Sequence, residues 1–170
     1  MPFTIDRPKY FLNLTYPDYL TIPSFLAYNN AVITNVTGDG TSYTIIYNTE
    51  DYDIGGGFNT TNGTFTAPVA GKYMFRTNIT LDDVDTVNNT TYYASINCTA
   101  GSVLISSGSI AAMAGTGTRV GFSGSAILDL AAGNTCAVVV NVSGTAKGID
   151  IAASALPGTA RSTFAGFRIG

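Results

Sequence analysis

The sequence predicts an all-β domain, a sandwich or barrel of short strands, and three observations carry that prediction. From Ser24 onward, short runs dominated by Val, Ile, Thr, Tyr and Phe follow one another along the chain. Between them stand turn signals: Gly38-Asp39-Gly40, Gly55-Gly56-Gly57, Asn62-Gly63, Ala100-Gly101, Gly115-Thr116-Gly117, Ala132-Gly133-Asn134 and Ser143-Gly144. No segment keeps a helical period over ten or more residues. About ten strands at this spacing are the signature of a sandwich or barrel.

The elements follow in order. Residues 1–23 hold four of the six prolines and the aromatics Phe3, Tyr10, Phe11, Tyr16 and Tyr19. Proline at that spacing excludes a long helix, and aromatic density favours burial. The segment is expected to be an arm that docks on its own domain, a neighbour or a scaffold, with residues 24–170 forming the sandwich. Strands are expected over 24–31, 43–47, 63–66, 72–81, 91–98, 103–107, 118–130, 135–142, 149–152 and 162–169. Over 72–81, Tyr73, Phe75, Ile79 and Leu81 alternate with Met74, Arg76, Asn78 and Thr80, a period of two with one strongly apolar face. Residues 110–114 are alanine-rich and suit one helical turn. In the last strand, Phe164 falls on the face opposite Phe167 and Ile169, unless Gly166 bulges the strand. A sandwich strand needs only one buried face. Large apolar groups on both faces therefore predict contact with a second subunit.

Composition narrows the function. Apolar residues make up 45% of the chain and charged residues 11%, well under the usual ~25%. Solubility rests on Thr, Ser, Asn and Gly, which suits a protein packed into an assembly or exposed to harsh surroundings. The eight Lys and Arg residues are scattered singly, which argues against nucleic-acid binding. Seven of the eleven acids lie between Asp39 and Asp85. No apolar run approaches the ~18 residues of a membrane span. Met1 to Asp6 does not read as a secretory signal. Cys98 and Cys136 each share strand parity with apolar neighbours, so both are expected to point inward. Buried free thiols are the favoured reading, with a mutual disulfide as the alternative.

Three blocks of the sequence resemble the globular head of complement C1q, a relative of the tumour necrosis factor fold. Residues 63–75, Gly-Thr-Phe-Thr-Ala-Pro-Val-Ala-Gly-Lys-Tyr-Met-Phe, are similar to the family pattern Gly-x-Phe-x-x-Pro-x-x-Gly-x-Tyr-x-Phe. Residues 123–134 are similar to its Ser-x-Leu-x-Leu-x-x-Gly-Asp, with Asn134 where the family has aspartate. Phe164 to Ile169 is similar to its closing Phe-x-Gly-Phe. The resemblance implies a ten-stranded, two-sheet antiparallel jelly-roll sandwich that forms a three-fold trimer and acts by recognition without catalysis. The collagen-type Gly-X-Y stalk is missing, as in stalkless heads on spores and on phage or virus particles. The expected role is therefore a structural protein of the virion surface: a head fibre, capsid decoration or tail-fibre tip. It would touch other virion or capsid proteins and a host glycan or receptor. A secreted C1q-like lectin or adhesion protein is the alternative.

Candidate site residues follow from these readings. Tyr73, Phe75, Phe164 and Phe167 are expected at the trimer contact. The chain has no histidine, which removes Ser-His-Asp and Cys-His nucleophile systems. Asp82, Asp83 and Asp85, with Asn88 and Asn89 close by, are oxygen ligands on a loop and suit calcium, although their spacing is not that of an EF-hand. No other cofactor is expected. Strand-end loops at 36–42, 82–91 and 110–118, with Asp39, Thr41, Asn88, Asn89 and Thr116, are expected to meet a ligand. Nine Asn-x-Ser/Thr sequons occur, though outward strand faces favour the same residue types. Asp53-Ile-Gly-Gly-Gly-Phe58 lacks the Lys-Ser/Thr of a phosphate loop and reads as a flexible turn.

Overall fold

A computed structural model describes residues 22–112, 118–153 and 162–170. The expected arm lies outside these residues except for Ile22 and Pro23. Among these residues thirteen strands form two antiparallel sheets: β1 Ser24–Tyr28, β2 Ile33–Thr37, β3 Ser42–Thr44, β4 Thr49–Ile54, β5 Phe58–Asn59, β6 Thr64–Thr66, β7 Gly71–Val84, β8 Asn89–Cys98, β9 Gly101–Ser109, β10 Thr118–Leu130, β11 Thr135–Gly144, β12 Ile149–Ile151 and β13 Thr163–Arg168. A 3-10 turn, Ile110–Ala112, stands where the alanine-rich stretch predicted one.

The 14-residue β7 is the spine of the first sheet. One flank pairs with β10 from Gly71↔Leu130 to Val84↔Thr118. The other flank is shared end to end by β13, up to Asn78↔Thr163, and β12, at Leu81↔Ile151 and Asp82↔Asp150. Beyond β13 lie β1 and then β4; beyond β12 lies β2. The second sheet runs β5-β6-β11-β8-β9, with β3 also pairing β11. Strands β2, β4 and β5 were not expected. Strand β4, Thr-Glu-Asp-Tyr-Asp-Ile, keeps most side chains in solvent and has no apolar alternation to betray it.

The core lies between the sheets. From β7 the inward set is Tyr73, Phe75, Ile79 and Leu81, the face its alternation predicts, and β11 answers with Cys136, Val138, Val140 and Val142. At its centre is an aromatic cluster: Phe25 packs 4.8 Å from Phe58, 4.9 Å from Phe65 and, edge-on, 5.0 Å from Phe164. Such pairs contribute about 0.5–1.5 kcal/mol each beyond their burial. Gly166 does not bulge; β13 holds register with both β1 and β7 across it. A Cβ there would fall 2.6 Å from the Phe75 ring and 2.7 Å from that of Phe25, so the rings cross the strand where it has no side chain.

Three of the four residues expected at the trimer contact are corrected by this packing. Tyr73, Phe75 and Phe164 are all 0% exposed within a single chain and leave nothing for a neighbour to touch. Phe167, on the opposite face of β13, is 45% exposed.

The cysteines also depart from the favoured reading. They form a disulfide, because β8 and β11 pair in a register that sets Cys98 directly opposite Cys136 with a Cα–Cα distance of 4.0 Å. The inward parity is right for Cys136, which is fully buried, and Cys98 is half-buried beside it. The bond closes a loop across 38 residues, and a constraint of that size stabilises a fold by about 2–4 kcal/mol. Reduction by dithiothreitol is expected to lower the urea midpoint accordingly. An unchanged midpoint with both thiols titratable would contradict this.

Candidate functional site

Two surfaces stand out. The first is the outer face of the first sheet together with its β10 edge. Register places Ile127 of β10 beside Met74 of β7, Met74 beside Phe167 of β13, Phe167 beside Ser24 of β1, and Ser24 beside Ile54 of β4. Ile127 is 62% exposed and Ile54 44%. The next row brings Leu26 and Tyr52 alongside. A single row thus crosses five strands and is apolar at every place but Ser24. Strand alternation marks Phe167 as outward, but Met74, Ile127, Ile54 and Tyr52 join it only once register is known.

Strands β9 and β10 end their sheets on the same side of the sandwich, each with one flank unpaired among the described residues. They nearly touch: a Cβ on Gly124 would fall 2.6 Å from Ile105 of β9. Strand β9 holds no charge and no proline, and its Leu104 is 60% exposed. Bare edges of this kind invite pairing, and proteins usually blunt them with charge. Strand β4, the edge across the first sheet, is blunted in that way by Glu50, Asp51 and Asp53.

The second surface is the apex, where β2, β7 and β11 end. Loops 38–41, 85–88 and 145–148 converge there and are held by backbone bonds. Gly38 and Gly40 donate N–H groups to the Val142 carbonyl at 3.1 and 3.0 Å, and Gly148 donates to Thr37 at 3.1 Å. Gly38 has φ +121, and a Cβ on it would sit 2.6 Å from the Ala146 carbonyl oxygen, so glycine alone permits this approach. The buried Thr37 hydroxyl donates to the Thr41 carbonyl at 2.6 Å and accepts from Val142 N–H at 3.0 Å.

The three acidic residues expected to bind calcium sit in different surroundings at this end. Asp82 is held by Arg119 of β10 through two bonds, Nε to Oδ1 at 2.6 Å and Nη2 to Oδ2 at 2.9 Å. Asp85 accepts from Val87 N–H at 2.8 Å and from the Asn88 side chain, and these bonds hold its carboxyl below the usual range. Asp83 is exposed with φ +60. Among the described residues no three Cys, Asp or Glu side chains converge to hold a metal ion. Of the three expected ligands, Asp82 and Asp85 are engaged by these hydrogen bonds and Asp83 stands in solvent.

The other expected ligand residues also have structural duties. Asp39 accepts from Thr41 N–H at 3.0 Å, and hydrogen bonding by the Thr41 side chain first and this N–H second holds its carboxyl below the ordinary value. Asn89 is 5% exposed; it accepts from Asp85 N–H at 2.9 Å and donates to the Gly38 carbonyl at 3.5 Å, tying loops together. Asn88 remains exposed, and Thr116 lies outside the described residues. Between the loops opens a cavity of about 310 Å³ lined by Asp83, Asp85, Asn88, Asn89 and the stretch 145–149. Lys147 in that stretch was not anticipated, since Ser143-Gly144 reads only as a turn.

The exposed sequon asparagines on β5–β6 are used in turns: Asn59 accepts from Thr61 N–H at 2.8 Å and Asn62 from Thr64 N–H at 3.1 Å. Those at Asn89 and Asn141 are buried.

Comparison with known proteins agrees with this architecture. A structure of the globular domain of zebrafish complement 1qA superposes with a TM-score of 0.58 at 19% identity, covering 87% of this chain and 98% of that one. Murine APRIL at pH 8.5 superposes with a TM-score of 0.55 at 7% identity, covering 86% and 98%. At these identities the likeness is one of fold. No curated protein matches the sequence. The C1q domain family model matches residues 27–169, nearly the whole of the sandwich, and the chain belongs to the C1q-domain family.

Proposed function

We propose that the chain is a non-catalytic display domain that works as a homotrimer. C1q-like domains are typically binding or structural domains, usually outside the cell. The observation that carries the reading is the apolar row of Ile127, Met74, Phe167 and Ile54 on the outer face of the first sheet. The same chain offers an edge where β9 carries no charge and the two charges of β10, Arg119 and Asp129, are paired with Asp82 and Lys72. A face that meets a different surface on the next copy makes a heterologous contact, and such contacts close into a ring when the rotation permits. Apolar face against bare edge, repeated three times, covers both. Sedimentation equilibrium at micromolar concentration is expected to give a mass three times that of the chain; a monomer would end the reading.

The setting we propose is the surface of a virus or phage particle, as a head fibre, capsid decoration or tail-fibre tip among other virion proteins. The weakly charged Thr, Asn, Ser and Gly surface supports it. Residues 1–23 then serve as the anchor: Pro23 accepts from Arg168 N–H at 3.0 Å, at the end of β7 opposite the apex. The apex loops are the face toward a host glycan or receptor. Immunogold labelling of particles with antibody to the recombinant chain tests this, and unlabelled particles would overturn it. A secreted lectin or adhesion role is the second reading, favoured by the Cys98–Cys136 disulfide, because such bonds persist in oxidising compartments.

A further inference from the structure

We propose that the apex cavity binds a small zwitterion, with the ligand's amine at Asp83 and its acid group at Lys147. The inference rests on taking the apex as the recognition face, and it names the chemical class that face selects.

The lining is divided by sign. Loop 85–88 and the end of β7 supply Asp83 and Asp85, while the stretch 145–149 supplies Lys147. Other charged groups at this end are already committed: Asp82 to Arg119, Asp85 to Val87 and Asn88, Asp39 to Thr41, and Asp150 to Asn35 N–H at 2.7 Å. Among the described residues neither Asp83 nor Lys147 is in an ion pair or a side-chain hydrogen bond. Lys147 acts on Asp39 only through its field, the weakest of the influences on that carboxyl. An anion at the end of β7 and a cation in the stretch 145–149 thus border one space, neither with a direct partner among the described residues. The buried Ile149 and Asn89 are also part of its lining.

The loops are also pre-organised. The bonds from Gly38, Gly40 and Gly148, and the Asn89 links to Asp85 and Gly38, fix the walls without using either free charge. Little ordering is left for a ligand to impose, which favours binding of a small molecule. A volume of about 310 Å³ sits at the lower end of small-molecule sites. A simple cation would meet Lys147 and a simple anion would meet Asp83 and Asp85. Only a ligand carrying both charges answers both walls.

The test uses the full chain, labelled with nitrogen-15, and follows amide shifts during titration. The probes are glycine, γ-aminobutyrate and ε-aminocaproate as free amino acids of increasing span, and phosphoethanolamine as the zwitterion borne by surface polymers. Butyrate and butylamine carry one charge each. At least one zwitterion is expected to shift amides in 83–89 and 145–149 at millimolar concentration, about tenfold tighter than either single-charge control, since one charge-assisted bond is worth that much. Tighter binding of phosphoethanolamine or of an amino acid identifies the source. Asp83→Asn and Lys147→Met are each expected to bring the affinity down to that of the controls. Three results would overturn the proposal: no preference for a zwitterion, shifts confined to other regions, or undiminished binding in both variants. Calcium chloride shifting the same amides and excluding the zwitterions at equal ionic strength would also overturn it, by making the cavity a cation site. Sedimentation of the same samples keeps the questions apart, because a trimer that ignores every zwitterion sinks this inference alone.

Discussion

Phe164→Ala is expected to lower the stability of the domain by about 3–5 kcal/mol, among the largest effects any single substitution should have here. The ring is fully buried and touches Phe25 at 5.0 Å, Phe75 at 5.7 Å, Tyr47 at 5.9 Å and Phe58 at 6.2 Å. Removing it empties the middle of the aromatic cluster. Its neighbours are held by two sheets on either side, so they can relax only partly into the space. Urea denaturation followed by tyrosine fluorescence reads the loss as a lower midpoint at an unchanged slope. Phe167→Ala, three positions on and facing out, supplies the contrast. At a concentration where the chain is monomeric it should cost no more than about 1 kcal/mol, since the side chain is already half in water. Equal losses for the two variants would mean that the faces of β13 have been assigned the wrong way round.

That contrast marks how far the sequence could be read. A period of two tells which side chains share a face, and the alternation of Tyr73, Phe75, Ile79 and Leu81 was plain because these groups are large and their alternates mostly polar. It does not tell which face meets the partner sheet. Apolar groups on both faces of β13 were legible, and so was the demand for a second contact. Giving that contact to Tyr73, Phe75 and Phe164 was wrong, because the first sheet turns those residues toward β11. Register is the other missing quantity. Cys98 and Cys136 each show their inward parity, yet only the pairing of β8 with β11 sets them face to face. The four apolar groups of the outer row likewise come from four strands far apart in the chain. Strand β4 was invisible because an exposed acidic edge has no pattern to read. At the apex, the acids were legible as a cluster, but their hydrogen bonds to Arg119, Val87 and Thr41 were not, and those bonds decide which carboxylate remains available.

Introducing charge into the outer row is expected to dissolve the trimer without unfolding the chain. In the proposed assembly, Phe167 and Ile127 are covered by the neighbouring copy, so an aspartate at either place would be buried without a partner. An unpaired buried charge costs about 3–5 kcal/mol, and at 1.4 kcal/mol per decade that weakens association roughly a thousandfold. The monomer should tolerate the change, because both side chains stand at the surface of a single chain, Ile127 62% and Phe167 45% exposed. Phe167→Asp and Ile127→Asp are therefore expected to sediment as monomers at concentrations where the parent chain is trimeric, with circular dichroism unchanged. Val32→Asp is the control: Val32 is 49% exposed and lies between β1 and β2, on neither the row nor the β9 and β10 edge. If all three variants stay trimeric, the row is not what joins the copies. If Val32→Asp also dissociates, loss of assembly reflects added negative charge on an acidic chain and says nothing about the row. Dissociation by Phe167→Asp and Ile127→Asp alone, with Leu104→Asp on β9 acting in the same way, places face and edge in one contact, as a heterologous ring requires.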